Sequence, residues 1–70
     1  MNKTEYTDKI DTFVKEGNYH AAINIGLSGL NACRKENDQA CIDEFLNIIN
    51  NVIQELAEEF GSEDYLTRNQ

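Results

Sequence analysis

The chain contains no proline. Proline breaks helices and marks turns, so its absence points to uninterrupted helices with short connections rather than a strand-and-turn protein. No apolar run approaches the roughly 20 residues that span a bilayer. The first residues, MNKTEYTDK, lack the basic start and apolar core of a secretory leader, and the expectation is a cytoplasmic chain. Basic residues are also scarce. Six of them stand against 13 acidic ones, for a net charge of −7. Binding to nucleic acid requires Lys and Arg to displace counterions from phosphate, so this balance speaks against it. It speaks equally against an anionic membrane surface.

Chemistry-bearing residues are sparse. His20 is the only histidine. It sits beside Tyr19 without an accompanying nucleophile arrangement and reads as a surface side chain. No paired carboxylates, nucleophile–base pair or phosphate-binding loop occurs, so the expectation is a protein that is not an enzyme and takes no cofactor or metal. Seventy residues make at most one domain with a thin core. Tight helix packing or association with another chain is the expected source of stability.

What the chain does have is helical periodicity. Asn2 or Thr4 can cap a first helix whose Tyr6, Ile10, Phe13 and Val14 form a narrow apolar stripe. Gly17 suits the left-handed residue that closes a helix, and Asn18 suits the cap of the next. The second helix is predicted from about Tyr19 to Arg34 or Lys35. Its main face is Tyr19, Ala22, Ile23, Gly26, Leu30 and Cys33, and its sides are also apolar, as in a central helix with a neighbour on each flank. Gly26 and Gly29 each cost a helix about 1 kcal/mol relative to alanine, so another helix should cross closely there. Asn37 or Asp38 can cap the third helix. Its stripe runs through Ile42, Phe45, Leu46, Ile49, Val52, Ile53, Leu56 and Phe60 to Gly61. Such a helix is longer than two short ones can cover evenly. Residues 1–61 thus read as one antiparallel three-helix domain of the all-α class, and residues 62–70 as a polar tail.

The stretch Gly17, Asn18, Tyr19, Ala22, Ile23, Gly29 and Leu30 resembles the core pattern of a tetratricopeptide repeat. The resemblance extends over about residues 6–35, with Tyr6 and Phe13 at the aromatic positions of the upstream helix. Lys9 and Ile10 depart from the family's leucine–glycine pair, and the closing proline is missing. The resemblance implies a helical hairpin and a role in protein–protein interaction. A peptide groove in that family needs several repeats, so no ligand-binding residues carry over.

Three groups of residues remain as candidates. Cys33 and Cys41 lie four residues each side of Asn37. A reducing cytoplasm favours two buried thiols. A disulfide requires Cα atoms within about 7 Å, and a metal site would need further ligands. The acidic residues Glu55, Glu58, Glu59, Glu63 and Asp64 gather around the end of the third helix. They read as a solvated face, as a docking patch for a basic surface, or as a mimic of nucleic-acid phosphates. Ile25, Leu27 and Ile48, with Ala21, Ala32 and Cys41, exceed what a small three-helix core can hide; they either pack around a twisted core or, the favoured expectation, form a partner surface. The leading expectation is a non-catalytic adaptor, co-chaperone or inhibitor that binds another protein or a second copy of itself. The alternative is an acidic inhibitor that imitates nucleic acid and blocks a basic site on a nucleic-acid-binding protein.

Overall fold

The computed structural model describes residues 2–60. Gly61 and the expected tail, residues 62–70, lie outside the described residues. Three helices follow in order: α1, Lys3–Lys15; α2, Tyr19–Lys35; and α3, Gln39–Glu59. At 1.5 Å per residue, the 21 residues of α3 extend about 31 Å, well beyond the 13 residues of α1.

The helix boundaries follow from local chemistry. The side chain of Asn2 accepts a hydrogen bond from the Glu5 N–H at 3.3 Å. Asn18 accepts from the Ala21 N–H, and Asp38 from the Cys41 N–H, both at 3.2 Å. Each cap satisfies a backbone donor that the first turn leaves without a helical partner. The two turns are built alike. Gly17 adopts φ +76° and donates its N–H to the Val14 carbonyl at 3.0 Å, while the Asn18 N–H reaches Phe13 at 2.8 Å. Asn37 repeats the geometry at φ +54°, donating to Arg34, and Asp38 donates to Cys33, both at 3.1 Å. This paired closure of the last carbonyls turns the chain back sharply at each junction. At the second junction asparagine does what glycine does at the first, since both tolerate the left-handed region.

The connections make consecutive helices antiparallel, and α2 packs against both α1 and α3. The buried core is Ile10 from α1, Ala22 and Cys33 from α2, and Cys41, Phe45 and Val52 from α3. Gly26 and Gly29 are buried as well. A Cβ at Gly26 would lie 2.7 Å from Cγ1 of Ile49, and one at Gly29 would overlap the ring of Phe45. The expected close crossing is therefore present, and the third helix makes it. Contact between α1 and α3 includes their N-terminal ends. There Tyr6 meets Phe45 edge-on, with ring centroids 5.9 Å apart, and Lys3 pairs with Glu44 at 2.9 Å.

Two details depart from the periodicity. On α2 the fully buried line is Ala22, Gly26, Gly29 and Cys33, while Tyr19, Ile23 and Leu30 are only half-buried. The glycines allow the neighbour so close that the deepest face rotates toward them. On α3 the continuous apolar stripe divides. Cys41, Phe45 and Val52 go into the core, whereas Leu46 is 50% and Ile53 39% exposed.

Candidate functional site

The first candidate group lies at the second turn. Cys33 ends the last buried turn of α2, and Cys41 begins the first buried turn of α3. The cap at Asp38 and the left-handed Asn37 bring their Cα atoms to 5.5 Å, and the sulfurs are bonded to each other. Two separate thiols, the state favoured from the sequence, are thus replaced by a disulfide. The bond is itself fully covered, with Cys33 at 0% and Cys41 at 3% exposure. It staples the α2–α3 corner about one helical turn from Gly29 on α2 and from Phe45 on α3.

The acidic group behaves differently. Glu55, Glu58 and Glu59 are exposed on the last turns of α3, and Glu63 and Asp64 lie outside the described residues. Tyr19, at the start of α2, faces this end of α3. Its phenol is pushed above its ordinary range, by burial first and then by the charges of Glu59 and Glu55. At the opposite end, the hydrogen bond to Glu44, followed by its charge, raises the ammonium of Lys3. His20 is exposed. Among the described residues, no three His, Cys, Asp or Glu side chains converge as metal ligands would.

The apolar group is dispersed. Ile25 and Ala32 are half-buried and line a cleft of about 320 Å³ between α1 and α2, with Tyr6 and Lys9 on its other wall. Ile48 is half-buried on the opposite side of α1. With Ile10, Val14 and Val52 it floors a groove of about 190 Å³ between α1 and α3, rimmed by Asp11 and Glu55. Leu27 belongs to neither and is 46% exposed. Counting 100° per residue around α2, Leu27 falls on the flank turned away from Ile25, and hence away from α1.

Leu27 finds its companions on α3. Leu46 and Ile53, placed by the periodicity within the core stripe, flank α2 on the side away from the α1 groove, and Phe60 continues their line at 61% exposure. Ile23 and Leu30 of α2 and Ile42, Ile49 and Leu56 of α3 edge the same face, half-buried. Among the described residues, the large apolar side chains left exposed therefore gather on the α2–α3 face. The sequence carries a signal for it: Ile42, Leu46, Ile49, Ile53, Leu56 and Phe60 follow one another at alternating four- and three-residue steps. That spacing keeps all six on one side of the helix.

No helix among the described residues is long and apolar enough to cross a membrane. Compared with protein-family models, with curated proteins and with solved structures, the chain matches none.

Proposed function

We propose that this chain is a non-catalytic protein–protein interaction module that acts by burying an apolar helix face against another protein chain. One observation carries the reading: Leu27, Leu46 and Ile53 stand 46%, 50% and 39% exposed on a single face of the α2–α3 pair. Scattered exposed apolar residues are ordinary, but a contiguous apolar patch on a small domain marks a contact surface. The resemblance of Gly17–Leu30 to a tetratricopeptide repeat supports the same class of role.

The test compares the wild-type chain with Leu46→Glu and Ile53→Glu. Circular dichroism first establishes that each variant keeps its helices, which their exposure favours. Sedimentation then reports self-association, and affinity capture from the source cells reports other partners. The wild type engages a protein chain, its own or another, and both variants lose it. A folded wild type that stays monomeric and retains no protein in capture would sink the reading.

A further inference from the structure

We infer that the occupant of the α2–α3 face is a second copy of this chain, docked antiparallel so that α2 and α3 of both copies form one four-helix core. The inference rests on the interaction-module reading and names its partner.

The first support is the symmetry of the seam. Its steps of four, three, four, three and four residues read the same in both directions about Asn51. Reversing one copy on the other places Leu46 opposite Leu56 of the second copy, and Ile49 opposite Ile53 of the second copy. Every layer then joins an apolar residue to an apolar residue, as alternate knobs do in antiparallel helix pairs.

The second support is charge. In the reversed arrangement the residues flanking the seam on its open side are Asp43, Asn50 and Ala57. Asp43 comes beside Ala57 of the second copy, and Asn50 beside its own counterpart. The parallel arrangement instead sets Asp38 against Asp43 of the second copy, twice over, and gathers the acidic ends of both α3 helices. Like charges across a helical seam select against that orientation.

The third support comes from α2. In a chain with 13 acidic and six basic residues, Tyr19 to Cys33 contains none of either. Five of these positions, His20, Asn24, Leu27, Ser28 and Asn31, are exposed. An exposed helix side without formal charge fits burial against another chain, since interface cores are depleted of charged residues. The antiparallel dimer uses this side. Seen down α3, the seam lies about a quarter-turn round from the side that α2 covers. A second α3 seated there brings the second α2 alongside the first, and every neighbouring pair is antiparallel. Ile23, Leu27 and Leu30 then join the α3 seam in the centre.

The experiment measures mass by sedimentation equilibrium and proximity by cysteine cross-linking. The expected mass is twice the 8.0 kDa of the chain. Ile53→Glu and Asn24→Arg each return it to one chain. Asn24 is an exposed polar residue, so the second variant tests the interface without touching the fold. Asn50→Cys joins two copies through a short bis-maleimide, which leaves the Cys33–Cys41 bond intact, and Ala57→Cys does not. A monomeric wild type, a dimer indifferent to Asn24→Arg, or cross-linking at 57 as readily as at 50 would overturn the inference. A monomer that still captures a different protein through Ile53 overturns the second copy and leaves the interaction module standing. A monomer that captures nothing overturns both.

Discussion

Replacing Gly29 by alanine separates two opposed effects that the structure sets against each other. In a helix interior alanine is favoured over glycine by about 1 kcal/mol. Here the added methyl would overlap the Phe45 ring, with its Cζ atom 2.7 Å away. That ring is fully buried at 0% exposure and is held edge-on by Tyr6. It has no open space to move into. Overpacking of this kind costs about 1–3 kcal/mol, so Gly29→Ala loses a net amount of about 1 kcal/mol. For a domain of this size that lowers the melting temperature by about 4–8 °C. Gly26→Ala is the comparison. Its methyl would lie 2.7 Å from Cγ1 of Ile49, a single atom that moves only with χ1 of a β-branched side chain, so Gly26→Ala is destabilising by less than Gly29→Ala, where a whole buried ring is met. Urea unfolding followed by circular dichroism, at one fixed protein concentration, measures both. The decisive background is Phe45→Leu. It removes the ring and makes room for the methyl, so Gly29→Ala there becomes neutral or stabilising, with a coupling of about 1–2 kcal/mol between the sites. A Gly29→Ala variant more stable than the wild type in the native background would refute the close crossing.

Further outcomes follow from the corners and ends. Reduction of the disulfide, or Cys33→Ser with Cys41→Ser, costs about 2.5 kcal/mol by the loop-entropy relation for a separation of eight residues. Thermal melts with and without reductant read that loss. Asp38→Ala removes the cap on the Cys41 N–H and costs about 1 kcal/mol in urea unfolding, while Asp38→Asn restores most of it. The raised phenol of Tyr19 makes stability fall as pH climbs from its unfolded value of about 10 through the higher folded one. Following the Tyr19 ring by NMR shows titration above that value, and Glu59→Gln lowers it.

Much of the fold is legible in the residues themselves. Asn2, Gly17, Asn18 and Asp38 stand at the helix ends that their local chemistry dictates, because caps and left-handed turns act over only three or four residues. The three helices, the central place of α2 and the extra length of α3 follow from periodicity. Gly26 and Gly29 announce a close crossing, because glycine inside a helix is otherwise a loss. The candidate site was less legible. Ile25 and Ile48, grouped with Leu27 as apolar residues in excess of a small core, face different grooves beside α1. Leu46 and Ile53 look like core by hydropathy and lie on the open side of α2.

The physical reason is the range of the forces involved. Local hydrogen bonds and the 3.6-residue period determine where each helix begins and which broad side is apolar, and the sequence alone decides both. Which part of that side is buried depends on where the neighbouring axis comes to rest, and that is decided by packing. The glycines drew α3 toward Gly29, turned Ile23 and Leu30 outward, and split the α3 stripe into a covered half and an open one. The 5.5 Å approach of Cys33 and Cys41 likewise needs both helices and the turn between them. Only tertiary structure could set that distance and assemble the apolar face of Leu27, Leu46 and Ile53.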